Sequence, residues 1–296
     1  MRKHHTFTGL LSGLVAASIW GGMYVVSKVV LEVIPPFTLL LMRLLMGAAT
    51  LGVAIVFINR KADKNAALSK ETFWRSVLIG LVGYGISLGF QFVGTKLSTA
   101  SNGALVTSAT PAFVLLFAPI LLGEKTTARR IVALVLSSLG VLAVIDPRNA
   151  ELSPSLFWGN ISLLAAALTW ALYSVLVRKL SQSGDLLVFS AIMLLGGVPF
   201  SIPLSIWELS TVGVGAITPA IVGGLLFLGI VATAVGMFLW NYAFAQLPAA
   251  VASLTFFAQP VVGTLLGWFF LSEEITPLFL VGGALIGIGI LIATRD

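Results

Sequence analysis

Ten stretches of about 20 mostly apolar residues follow one another along the chain, at 9–30, 36–58, 73–93, 98–122, 130–146, 156–178, 185–207, 217–243, 249–271 and 277–294. Each is long enough for an α-helix to cross the hydrocarbon core of a bilayer. Inside that core an exposed backbone N–H or C=O has no water to bond, so spans are helices or closed barrels. Uninterrupted apolar runs of this length select helices. The chain is 58% apolar and only 9% charged, whereas soluble domains carry about 25% charged residues. The predicted fold is an all-α membrane protein with ten transmembrane helices, and the lipid bilayer is its first partner. The fifth run is short and the seventh is interrupted by Pro199 and Pro203. Met1-Arg2-Lys3-His4-His5 precedes the first run as in a signal peptide. That run is too long for a signal h-region and nine more follow, so it is read as a helix of the mature protein.

Basic residues set the predicted orientation, because Lys and Arg accumulate in cytoplasmic loops. With the N-terminus inside, the cytoplasmic side holds Arg2, Lys3, Arg60, Lys61, Lys64, Lys70, Arg75, Lys125, Arg129, Arg130, Arg178, Lys179 and Arg295. The opposite side holds Lys28, Lys96 and Arg148, and Arg43 lies within a helix. The expectation is a multi-pass protein of the cytoplasmic (inner) membrane with both termini in the cytoplasm. The net charge of +6 is then a matter of topology, and no nucleic-acid partner is expected. Cysteine is absent, which excludes disulfides, thiolate metal sites and a cysteine nucleophile.

The two halves of the chain match at a nearly constant offset. Gly9, Ala16, Ala17, Trp20, Val25 and Lys28 align with Gly159, Ala166, Ala167, Trp170, Val175 and Arg178 at 150; Ala100, Pro111, Glu124 and Gly140 align with Ala249, Pro260, Glu273 and Gly289 at 149. Residues 1–148 and 149–296 are thus read as two five-helix repeats. Five is odd, so the second repeat enters the membrane from the other side. Inverted repeats are an architecture of secondary transporters, with the substrate site near the midplane between them.

The stretch Asn102–Val144 reads NGALVTSATPAFVLLFAPILLGEKTTARRIVALVLSSLGVLAV. Its counterpart runs through Gln259-Pro260, Leu271-Ser272-Glu273-Glu274 and Gly283–Gly289. This pattern resembles the EamA domain of the drug/metabolite transporter superfamily, present twice, over nearly the whole chain. The duplicated Pro-x12-Glu spacing carries the resemblance; Ser272 departs from it where the first half has Gly123. The resemblance implies a central cavity lined by helices 1, 3, 4, 6, 8 and 9, with helices 5 and 10 peripheral. It also implies export of amino acids or other small metabolites.

Candidate substrate-binding residues follow from polar or kinked positions inside spans. Pro111 and Pro260 each remove a backbone donor and free the carbonyl of residue 107 or 256. Thr107, Ser108, Thr110, Thr255 and Gln259 lie close enough to compensate. The kinks mark either a polar cavity or ordinary packing. Trp20 and Trp170 sit away from the interfacial belt that usually holds such aromatics; they are cavity walls or bundle packing, and Tyr24 and Tyr173 on the same helices are candidates beside them. Trp240 and Tyr242, nearer a helix end, fit the belt. Arg43, with Glu32 among its candidate partners, marks a substrate contact or a snorkelling side chain. Lys28 and Arg178 are read as gates or anchors, and Glu124 and Glu273 as partners for neighbouring helix N-termini. Gln91, Asn102, Asn160 and Asn241 line the path or bond helices together. Gly9, Gly13, Ala17 and Gly21, Gly263 with Gly267, and Gly283 with Gly287 have the spacing of close helix contacts.

The residues that are missing narrow the function. Both histidines, His4 and His5, precede the first span, and no Asp or Glu falls deep within the runs listed above. Direct proton antiport through a buried carboxylate is therefore not expected, nor is a site for permanent cations. No Walker loop is present, no cofactor is implied, and no histidine, aspartate or deep lysine is placed to activate a serine. The expected function is alternating-access transport of a small, amino-acid-like organic solute without proton coupling, with no oligomer required. Export of drugs or other metabolites is the alternative. A membrane receptor or scaffold, or an intramembrane enzyme, ranks lower.

Overall fold

The computed structural model describes residues 2–58, 69–98, 100–145, 156–181, 185–271 and 277–294. Arg60, Lys61, Lys64, Arg148, Ser272, Glu273, Glu274 and Arg295 lie outside the described residues, as do the side chains of Arg2, Lys3, His4, His5 and Asn102 and the surroundings of Gly267. The described residues form ten helical rods. They are α1 (Arg2–Val33), α2 (Pro36–Ile58), α3 (Lys70–Leu97), α4 (Ala100–Thr107, then Thr110–Leu122) and α5 (Ala128–Ile145). The second set is α6 (Phe157–Leu180), α7 (Leu186–Thr211), α8 (Pro219–Gln246), α9 (Ala249–Leu254, continuing to Leu271) and α10 (Pro277–Ala293). Among the described residues, eight are long and apolar enough on their own to cross a membrane. The remaining two, α5 and α10, pack along each other.

Packing follows the repeat. The α1–α8 pair has its mate in α6–α3, α1–α9 in α6–α4, and α3–α7 in α8–α2, while α2–α7 and α5–α10 each join a helix to its own repeat mate. Small residues permit these approaches. A side chain at Gly140 would press on the Gly282 carbonyl of α10, and one at Gly289 on the Ala133 carbonyl of α5. The glycine match seen in the sequence is therefore a crossing point. Gly9, Gly13 and Gly21 lie against Leu247, Thr255 and the Gln259 carbonyl, and Gly263 against Gly21. Gly283 and Gly287, by contrast, meet nothing within 4 Å; their spacing does not mark a close contact.

Helix ends are satisfied in matching ways. Ser69 caps α3 through the Thr72 amide, and Thr218, at the equivalent position, caps α8 through Ile221. Lys28 donates to the carbonyls of Thr95, Lys96 and Ser98 at the end of α3. Its mate Arg178 donates to Phe244 and Ala245 at the end of α8. Cations are favoured at helix C-termini, so both side chains are consumed there. Glu124 accepts the Ala249 amide at 3.0 Å on each oxygen, and its oxygens lie 3.5 Å from Arg178 and 3.7 Å from Arg130. That carboxylate joins the first repeat to the start of α9. Glu208 lies inside α7, which extends further than the apolar run suggested. Its carboxylate caps α2 through the amides of Phe37 and Thr38, so it remains in the last turn and away from the centre.

Gly196 of α7 faces the Val77 backbone of α3 so closely that an added Cβ has no room. Overpacking of this kind costs about 1–3 kcal/mol. Gly196→Val is expected to lower the thermal midpoint of the purified protein by several degrees; an unchanged midpoint would show that α3 and α7 do not meet this way.

Candidate functional site: the central cavity

Two helices leave regular α geometry in the middle of the bundle. Leu81–Ser87 of α3 and Phe227–Val235 of α8 are π-helical, in equivalent parts of the two repeats. Two more are interrupted near their prolines. The turn at Ser108 and Ala109 divides α4, with Pro111 in the first turn of the second piece, and Thr255–Phe257 forms a 3₁₀ segment before Pro260 in α9. Such irregularities free backbone carbonyls, which persist at membrane depth only where protein or water meets them.

A cleft with roughly 350 Å³ of empty space, part of it open to solvent, lies among these four helices together with α1 and α6. Trp20, Met23 and Tyr24 of α1 and Ala166, Ala167 and Trp170 of α6 form two of its walls. Ser87, Leu88 and Gln91 come from α3, Thr107 and Thr110 from α4, Met237 from α8, and Phe256 and Gln259 from α9. Among the described residues no Asp, Glu, His, Lys or Arg lines it. Four pairs of these residues are repeat mates: Trp20 with Trp170, Leu88 with Met237, Thr107 with Phe256, and Thr110 with Gln259.

The aromatic wall is tightly interlocked. Trp20 meets Trp170 edge-on at 5.5 Å between centroids, Trp240 at 5.3 Å and Phe256 at 6.2 Å. Trp170 also packs on Tyr173 at 4.8 Å. Edge-to-face pairs of this kind are favoured by the ring quadrupoles. Trp240 has none of its surface exposed, and its indole N–H donates to the Ser174 hydroxyl. It belongs to the core behind the cavity and not to an interfacial belt; α8 runs on to Gln246, which places Trp240 well inside.

Polar partners divide the wall into satisfied and unsatisfied groups. The Trp20 indole donates to the Ala232 carbonyl inside the π-helix of α8, at 3.0 Å. Thr107 donates to the Gly103 carbonyl at 2.6 Å, so Tyr24 donates to the Thr107 hydroxyl at 2.8 Å. In contrast, Trp170 Nε1, Gln259 Nε2 and the Thr110 hydroxyl are buried with no partner. Most buried polar groups in proteins are paired. Three unpaired groups able to donate, on three helices around one cavity, can serve acceptor atoms of a bound molecule.

Of the residues singled out from sequence, Trp20, Tyr24, Gln91, Thr107, Thr110, Trp170 and Gln259 line this cavity. Arg43, Ser108, Pro111, Tyr173 and Pro260 stand behind it. Ser108 bonds back to the Ala104 carbonyl. Tyr173 joins Tyr84 and Asn241, and Asn241 reaches Ser190, in a closed polar network across four helices. Asn241 is thereby an interhelical tie, and Asn160, which accepts from Ser98, is another. Arg43 bonds the Leu228 carbonyl and the Thr233 hydroxyl of α8. Met23, Ser87, Leu88, Ala166, Ala167, Met237 and Phe256 were not singled out as binding residues. The repeat offset was a usable signal for one of them: 149 residues after Thr107 lies Phe256.

The profile of the EamA-like transporter family matches residues 7–145 and again 157–295. The chain belongs to the EamA-like transporter family. It is accordingly a multi-pass membrane transporter. It is 27% identical to the Bacillus subtilis protein named uncharacterized transporter YoaV, over 96% of each chain. An uncharacterized transporter of Archaeoglobus fulgidus is 26% identical over 93% of each chain. A solved crystal structure superposes with a TM-score of 0.78 at 19% identity, covering 97% of this chain and 96% of that one. That likeness concerns the fold.

The two mated tryptophans should respond unequally to loss of the indole N–H. Both Trp→Phe variants give up ring contacts, but Trp20→Phe also removes the donor to the Ala232 carbonyl, at an added cost of about 1–3 kcal/mol. Trp170→Phe removes a donor that has no partner and should lower the thermal midpoint less. Equal midpoints for the two variants would contradict the assignment.

Proposed function

We propose that this transporter carries a small neutral or zwitterionic organic solute, amino-acid-like in having an apolar part and acceptor oxygens, across a cytoplasmic membrane by alternating access. The reading rests above all on the three unpartnered groups, Trp170 Nε1, Gln259 Nε2 and the Thr110 hydroxyl, beside aromatic rings. The rings receive the apolar part and the donors receive the oxygens. A permanent cation finds no carboxylate among the described lining residues, and a proton finds no titratable carrier there. Transport driven by the solute's own gradient fits that lining. A single chain supplies all six lining helices, so the pathway requires no oligomer.

Alternating access needs each face to close in turn, and the Glu124 cluster is suited to holding one face. It links the end of α4 to the start of α9, next to Arg178. The close approach of the two helices is made by Ala249–Leu254 against Thr110–Leu122. We assign this face to the cytoplasm, with both termini, from the basic-residue bias.

Purified protein in liposomes, tested with a radiolabelled amino-acid panel with and without a pH gradient, addresses the substrate. The expected result is uptake above empty liposomes that does not respond to the gradient, with Trp170→Phe raising KM roughly 3- to 10-fold for loss of one hydrogen bond. No uptake of any amino acid by folded protein would move the substrate to another metabolite class.

Closure by the Glu124 cluster has its own test, made simple by a chain without cysteine. Ala167→Cys places one thiol on the cavity wall. Adding Glu124→Gln should speed its labelling severalfold when a membrane-impermeant maleimide is applied from the Glu124 side. Labelling that is equally fast in both backgrounds would mean that Glu124 does not hold that face closed.

A further inference from the structure

Arg43 has none of its surface exposed. Its Nε donates to the Leu228 carbonyl at 3.2 Å and to the Thr233 hydroxyl at 3.0 Å. Nη2 has only the Met23 sulfur, at 3.6 Å, and the guanidinium carbon stands 4.9 Å from the centre of the Phe92 ring. Nη1 has no partner. The groups that meet it thus come from α1, α3 and α8, and among the described residues none is a carboxylate. Guanidinium carries five N–H donors and cannot shed its charge as lysine can. A buried cation without a counter-charge is strongly unfavourable, and a charge at membrane depth marks a functional site by default.

Packing alone does not account for an arginine here. Its repeat mate on α7 is Met193, fully buried in the equivalent place beside the α3 π-helix. The architecture therefore accepts an uncharged side chain at this position. Met23 stands on both sides of the question: its sulfur meets Arg43, and it lines the central cavity. A thioether side chain is flexible and makes only a weak acceptor. Turning Met23 aside would present the free edge of the guanidinium, with Nη1 and Nη2, to the cavity. That planar fork matches a carboxylate in a bidentate pair.

We propose that Arg43 is an anion receptor behind Met23, which takes up a monovalent anion from the cavity: the carboxylate of the transported solute, or chloride. The route of entry rests on the solute-cavity reading above; the receptor itself rests on the unmet charge. Occupancy supplies the missing counter-charge, so the anion stabilises the folded protein by mass action.

Thermal unfolding of the purified, detergent-solubilised protein reads this directly. Midpoints are compared in sodium chloride, sodium acetate and bulky sodium gluconate at equal ionic strength, and with leucine against leucinamide. Chloride or acetate is expected to raise the midpoint by several degrees over gluconate. The shift should vanish in Arg43→Met, which copies the mate position, and shrink in Arg43→Lys. A response to chloride alone identifies a halide site; a response to acetate, with leucine above leucinamide, identifies a carboxylate site. Equal midpoints in all three salts with leucine matching leucinamide would overturn the receptor, as would an undiminished shift in Arg43→Met. Uptake in liposomes is a separate measurement, so that failure is distinguishable from failure of the transport reading. Should Arg43→Met not fold, Met23→Ala decides: opening the route is expected to strengthen the wild-type anion response, and an unchanged response counts against the proposal.

Discussion

In a membrane every backbone polar group has to find its partner within the protein, and this demand organises the molecule from its ends to its centre. At the ends, Lys28, Arg178, Glu124 and Glu208 are spent on helix termini. At the centre, the π-helices of α3 and α8 and the proline breaks of α4 and α9 release carbonyls that regular helices would hold. Trp20 answers one of them at Ala232, and Arg43 answers another at Leu228. The irregular segments surround the cavity, where departures from helical geometry are tolerated. The same constraint therefore makes the bundle rigid at its faces and polar in its middle.

Duplication explains how so apolar a chain arrives at a defined site. Each contact between helices of one kind has its mate, so the cavity is assembled from paired positions such as Trp20 with Trp170 and Thr110 with Gln259. Pairing places the groups, and divergence within each pair decides what they do. Trp20 spends its N–H on a carbonyl while Trp170 keeps its own free. Thr110 offers a hydroxyl where Gln259 offers an amide. A site that binds an unsymmetrical solute needs such differences, because two identical half-sites would treat both ends of the solute alike.

The helix count and the repeat were legible in the sequence because hydrophobic length and the recurrence of Trp, Pro, Glu and Gly are one-dimensional signals. Trp20, Tyr24, Thr107, Trp170 and Gln259 could be singled out for a related reason: polar-edged or hydrogen-bonding residues are conspicuous in apolar helices. The π-helices were not legible, since Leu81–Ser87 and Phe227–Val235 contain no proline and differ little in composition from their surroundings. Trp240 was misplaced because apolar runs end before helices do; α8 extends to Gln246, and those few residues separate a membrane belt from a core. Met23, Leu88 and Met237 carry no chemical mark at all. Only the fold brings them to the cavity.

Arg43 and Met193 bear on what selection has shaped. They hold mated positions on α2 and α7, each fully buried, and only one is charged. If burial of apolar surface were the sole requirement there, methionine would serve in both halves, as it does in one. A membrane protein that retains a buried guanidinium accepts a desolvation cost that no described carboxylate offsets, and it places that group one flexible side chain away from the solute cavity. The Leu228 carbonyl and Thr233 hydroxyl orient the guanidinium without neutralising it. Under the proposed receptor role, the remaining charge is available to an anion that the cavity admits, and the broken symmetry at this pair then belongs to the cargo more than to the fold.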